Sequence, residues 1–233
     1  MENNSVSVSY RSKAVQATLF RKVYLWMTFA LFITGITSLL VADSPSLTEM
    51  ILGNRLAFYG ILIGEIALVW YLSARINSLS LQTATLLFIL YSVLNGATLS
   101  FIFLAFTTAS IASTFFVTAG TFGAMSLYGY ATKRDLTSWG NILFMALIGL
   151  IIASLVNLFL RNEIFYWVVT YAGVLIFVGL TAYDTQKIKR LFSREDIEVN
   201  EMTLKIALMG ALTLYLDFIN LFLYLLRILG NRK

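Results

Sequence analysis

Seven apolar runs, each long enough to cross a bilayer as a helix, follow one another along this chain with only short polar breaks between them. The breaks fall at residues 43–55, 75–80, 107–110, 132–137, 161–163 and 185–204, leaving runs near 23–42, 56–74, 81–106, 111–131, 138–160, 164–184 and 205–229. A nineteen-residue run such as Leu56–Ala74 reaches about 28 Å as helix, close to the roughly 30 Å hydrocarbon core. The pattern predicts an all-α integral membrane protein, a seven-transmembrane-helix bundle. Composition agrees: 59% of residues are hydrophobic and 12% charged, about half the charge of an ordinary soluble domain.

The net charge of +5 does not point to nucleic acid, because the basic residues are spread over the breaks without an interleaved basic–aromatic patch. Topology accounts for them. With the amino terminus in the cytoplasm, the inner segments hold Arg11, Lys13, Arg21, Lys22, Arg75, Lys133, Arg134, Lys187, Lys189, Arg190, Arg194 and Lys205, twelve of the seventeen cations, as the positive-inside rule requires. An odd number of spans then leaves Arg227, Arg232 and Lys233 on the outer side, and a dipped, non-spanning last helix is the topological alternative.

Residues 1–22 read as a polar cytoplasmic arm, disordered or interfacial, and 23–233 as the transmembrane domain. The first run is longer than a signal-peptide core and is expected to be retained. Pro45, the sole proline, marks the first outer loop. Gly60 with Gly64, and Ala119, Gly120, Gly123 and Ala124, are small residues suited to close helix packing. Residues 185–204 read as a solvated connector of nearly balanced charge, with pH or partner sensing as the sharper possibility. The absence of cysteine and histidine removes disulfides, thiol nucleophiles, imidazole bases and the usual zinc or haem ligands, so an enzyme is not expected.

Three acids break the apolar pattern: Glu65 in the second run, Asp184 at the end of the sixth and Asp217 in the middle of the seventh. An ionised carboxylate at bilayer depth costs at least about 2.5 kcal/mol, so such groups face a partner or a water-filled path. Each must be protonated, paired with a cation or bound to a metal ion. Gly210, Thr213, Asp217, Asn220 and Tyr224 recur at three- and four-residue spacing and share one face of the last helix, the kind of face a central helix turns to a polar interior. Thr85, Ser92, Asn95 and Leu99 form a matching face on the third span. For Thr213, Asn220, Ser92 and Asn95 the plainer role is interhelical hydrogen bonding, worth around 0.6 kcal/mol each. Arg75, placed near the face of Glu65, is the expected counter-ion. Two carboxylates sharing a site share a proton and titrate as a pair, which makes a pH-sensitive gate, and their ionised form suits calcium or magnesium.

The segments GLTAYDTQKIKR at 179–190 and ALTLYLDFINLFLYLLRILG at 211–230 resemble the paired signature of the Bax inhibitor-1 family, with further agreement at 64–76 and 126–149. The short arm and abrupt carboxyl end are similar to the bacterial branch, which implies a multi-pass protein of the bacterial inner membrane. The resemblance implies a seven-helix bundle whose last helix is central, and a pH-dependent calcium leak. It makes Asp184 and Asp217 a proton-sharing pair, the ion pathway and pH sensor and the contact for the metal ion, with Glu65 and Arg75 as pore and latch candidates and Asn220, Thr213 and Asn95 as polar lining. No bound cofactor is implied; calcium is the transported ion, protons the regulator and the lipid bilayer the surrounding partner. The alternative expectation is a regulatory membrane protein that binds a membrane quality-control protease or stress-response machine through the arm or the 185–204 segment. An intramembrane aspartyl hydrolase is disfavoured, since GLTAYD stands where a GxGD sequence would be needed.

Overall fold

The computed structural model describes residues 2–193 and 197–233, with side chains from Lys13 onward, so the Arg11 side chain and Arg194, Glu195 and Asp196 lie outside the described residues. In chain order the elements are α1 (Glu2–Asp43), α2 (Pro45–Thr48), a π-helical turn (Glu49–Gly53), α3 (Arg55–Arg75), α4 (Leu81–Leu99), α5 (Phe101–Ala105), α6 (Thr108–Ala131), α7 (Thr137–Leu160), α8 (Glu163–Leu191) and α9 (Glu201–Leu229). No strand occurs among the described residues. Among the described residues seven helical stretches are long and apolar enough to cross a membrane, α4 and α5 together making the third. The chain is an all-α integral membrane protein.

Polar residues at the breaks terminate the helices by supplying their backbone groups with partners. Asn54 Oδ1 accepts from the Leu56 and Ala57 amides at 3.0 and 3.3 Å to start α3, and Ser80 Oγ accepts from Thr83 N at 3.1 Å to start α4. Asn200 and Thr203 cap α9 reciprocally, the Thr203 amide donating to Asn200 Oδ1 and the Asn200 amide to Thr203 Oγ1, each at 3.0 Å. Pro45 lies at the first turn of α2, where its missing N–H costs nothing.

Two expected boundaries are corrected. No arm is set apart at residue 22: α1 continues through it, and Leu19 and Val23 are both fully buried. No glycine or proline precedes Gly35 to interrupt that helix. The connector expected at 185–204 is also shorter, because α8 continues to Leu191 and α9 starts at Glu201. Lys187, Lys189 and Arg190 are therefore helical residues.

The chain forms two compact units, each containing part of α9. The first comprises residues up to Thr107, Phe192–Tyr215 and Arg232–Lys233. Here α1 and α3 pack on α4, and the ring of Tyr215 meets Phe88 and Tyr91 edge-on, both at 5.8 Å. At one end of this unit the Leu81 amide donates to Glu201 Oε1 at 3.1 Å. At the other, the Lys233 amide donates to Ala105 O at 3.0 Å and Lys233 Nζ to Phe103 O at 2.7 Å. The last helix thus starts beside the start of the third span, and Lys233 lies beside that span's end.

The second unit comprises Thr108–Leu191 and Leu216–Asn231. In it α6 and α7 pack along α8, Phe218 meets Phe115 and Phe122 at 5.5 and 5.4 Å, and Tyr224 stacks on Phe177 at 5.8 Å. Of the spans, α9 is the most enclosed and α7 the least. The expected packing glycines are not the ones used: Gly60, Gly64, Gly120 and Gly123 have open space where a Cβ would be. Close approach occurs at Gly129, against the Ala182 carbonyl, and at Gly140, against the Tyr183 ring.

Candidate functional site

Asp184 of α8 and Asp217 of α9 are both buried, at 9% and 5% exposure, and their carboxyl groups lie within hydrogen-bonding reach of one another in the second unit. Oδ2 of Asp217 is buried and receives no N–H or O–H donor among the described residues. Two carboxylates offer acceptors only, so a hydrogen bond between these groups requires a proton on one of them. The cation whose charge acts on Asp184 is Lys187, on the same helix; it is exposed and lies over the Tyr183 ring at 5.8 Å.

No group of three or more metal-ligating side chains occurs among the described residues. Two carboxylates supply four oxygens at most, so an ion held there would keep water or take further oxygen ligands to reach the six to eight that calcium takes.

The first unit contains a separate buried polar cluster. Glu65 of α3 is 7% exposed, and its two carboxylate oxygens accept from Thr98 Oγ1 at 2.8 Å and Asn95 Nδ2 at 3.2 Å, both from α4. Asn95 Oδ1 accepts in turn from Tyr215 Oη at 3.0 Å. Tyr215 Oη lies 2.7 Å from Thr34 Oγ1, which donates to Ser92 O at 3.0 Å. Hydrogen bonds thus tie α1, α3 and α9 to α4 within this unit. Both carboxylate oxygens of Glu65 thus have a donor, and it makes no ion pair among the described residues.

Arg75 closes α3, is exposed, and makes no ion pair among the described residues. Its expected place near the face of Glu65 is corrected: ten residues at 100° each leave the two about 80° apart around the helix, and one is buried while the other is not. Thr213 and Asn220 are half-buried, and each bonds to its own helix, Thr213 Oγ1 to Met209 O at 3.0 Å and Asn220 Nδ2 to Leu216 O at 2.8 Å. Asn95 is the lining candidate that joins other helices. Tyr215, Thr34 and Thr98 were missed by the sequence reading. Tyr215 is grouped with the hydrophobic residues in the composition, although a buried tyrosine hydroxyl needs a partner.

Fold and buried acids together define a multi-pass membrane protein with two polar centres in otherwise apolar spans. A family model described as inhibitor of apoptosis-promoting Bax1 matches residues 16–233. The inner membrane protein YbhL of Escherichia coli strain K12 is 56% identical over 216 residues, covering 93% of this chain and 92% of its own. Proteins of Borreliella burgdorferi and Rickettsia prowazekii are each 44% identical, covering 91% of this chain and 91% and 89% of their own lengths. The chain belongs to the Bax inhibitor-1 family and is a multi-pass protein of the inner membrane.

Proposed function

We propose that the protein is a calcium-permeable leak pathway whose opening responds to pH through Asp184 and Asp217. The observation carrying this proposal is the contact of two buried carboxyl groups inside apolar spans, one with an oxygen that receives no donor. Such a pair shares a proton while its groups touch, and its titration changes the charge it presents to a cation. Glu65 is the pore candidate of the first unit, where the Asn95 and Thr98 donors keep its carboxylate oriented. Arg75, exposed at the end of α3, is the latch candidate. The protein supplies no covalent chemistry in this scheme; it strips part of the ion's water and replaces it with carboxylate oxygen.

The test is calcium flux into liposomes holding the purified protein alone, at neutral and acidic pH. A flux that depends on both protein and pH supports the proposal. A protein that carries no calcium at either pH overturns it and turns attention to regulation of another membrane protein.

A further inference from the structure

All four residues flanking Asp184 on α8 are held by neighbours within the second unit. The Ala182 carbonyl and the Tyr183 ring lie so close to Gly129 of α6 and Gly140 of α7 that a Cβ at either glycine would strike them. Thr185 Oγ1 donates to Ser126 Oγ at 3.4 Å. Gln186, 6% exposed, uses both ends of its amide on residues 132–136 between α6 and α7: Oε1 accepts from the Leu136 amide at 2.9 Å, and Nε2 donates to Arg134 O at 2.8 Å. One amide orientation alone satisfies both, since the flip would set donor against donor and acceptor against acceptor. Arg190, one turn further, donates to Gln186 Oε1 at 2.6 Å, to Asp135 Oδ1 at 2.6 Å and to Thr137 Oγ1 at 2.8 Å.

We infer that Gln186 and Arg190 are positioning residues, a clasp that sets the rotation of α8 and thereby holds Asp184 against Asp217. Gln186 stands about 200° around the helix from Asp184, so it anchors the side of α8 opposite the acid. The Leu136 amide it engages is buried, so this bond both satisfies the loop and ties α8 to it, and a carboxyl pair in hydrogen-bond contact tolerates only a few tenths of an ångström of misplacement. The charged groups acting on Asp184 are Asp217 of α9 and Lys187 of its own helix, while Ser126, Gly129 and Gly140, the α6 and α7 residues against this turn, are uncharged. This role rests on the proposal that the acid pair is the pH-responsive element.

The experiment is infrared titration of the carboxyl C=O stretch in the full-length protein in bilayers, with the pair's band identified by its loss in Asp217→Asn. Gln186→Met keeps the length of the side chain and removes both loop bonds. It is expected to move the pair's midpoint by about half a pH unit or more, roughly threefold in proton affinity. An unmoved midpoint in folded Gln186→Met overturns the inference. If that variant does not fold, Arg190→Ala decides: a shift is expected there and none in Lys133→Ala, which removes a like charge from the loop that Arg190 reaches but breaks no clasp bond, and equal behaviour of the two overturns the inference. Calcium flux measured in parallel keeps the questions apart. A wild type without flux sinks the leak proposal, while the infrared shift still decides the role of Gln186.

Discussion

Tyr215 donates its hydroxyl to Asn95 Oδ1 at 3.0 Å, joining the last helix to the third span inside the first unit. Tyr215→Phe keeps the ring contacts with Phe88 and Tyr91 and removes only the oxygen, leaving a buried Asn95 acceptor without its donor. A loss of about 1 kcal/mol is expected, read as a lower melting temperature in detergent. An unchanged melting curve would mean that Asn95 finds another donor.

Asp217→Asn keeps size and hydrogen bonding and supplies an N–H donor to Asp184. The variant is expected to fold and melt as the wild type does, while its calcium flux loses most of its pH response. Asp184→Asn should move the remaining response, and the double mutant should show less than the sum of the two changes, because coupled groups do not titrate independently. Additive single-mutant effects would show that the groups act separately.

Arg75 is exposed, so Arg75→Ala should leave the melting temperature within the spread of ordinary surface substitutions, about 0.5 kcal/mol. As the proposed latch, its removal should raise the leak at neutral pH, where the wild type is more restricted. A folded variant with wild-type leak at every pH removes Arg75 from gating.

Gly129→Ala and Gly60→Ala should differ in sign. The first forces a methyl into the Ala182 carbonyl, an overpacking penalty of about 1–3 kcal/mol. The second adds a methyl where nothing lies within 4 Å and gains the alanine preference of a helix interior, about 0.5–1 kcal/mol. Melting of the two variants against wild type decides between them, and equal losses would mean that Gly60 is covered by protein or lipid too tightly for a methyl.

Asp135 lies outside the spans, and its carboxyl is held well below the usual carboxylate range by the Thr137 hydroxyl, then by Arg190 and the Thr137 amide. A folded-state value below the unfolded one, about 3.9, means stability that is fully present above that value and lost as pH falls through the folded-state value. Asp135→Asn should therefore be less stable than wild type at neutral pH, and the gap should close only below about pH 4. A stability difference independent of pH down to that range would rule out the carboxylate as its source.

What the sequence determined by itself was the number and place of the spans and the three acids. Each depends on a quantity carried along the chain: apolar length against bilayer thickness, and the high cost of charge in lipid. Tertiary structure decided which faces meet. Gly60 and Gly64 have the spacing of a packing motif yet border open space, whereas Gly129 and Gly140 carry no such signature and make the close approaches. Tyr215 reads as one more apolar residue until its hydroxyl finds Asn95, and Gln186 reads as part of a charged connector until its amide spans a loop fifty residues away. In water, hydrophobicity separates inside from outside, but lipid tails are as apolar as a protein core. Periodicity then fixes the angle of a side chain around its own helix, and only the packed neighbours determine whether that angle faces lipid or another chain segment.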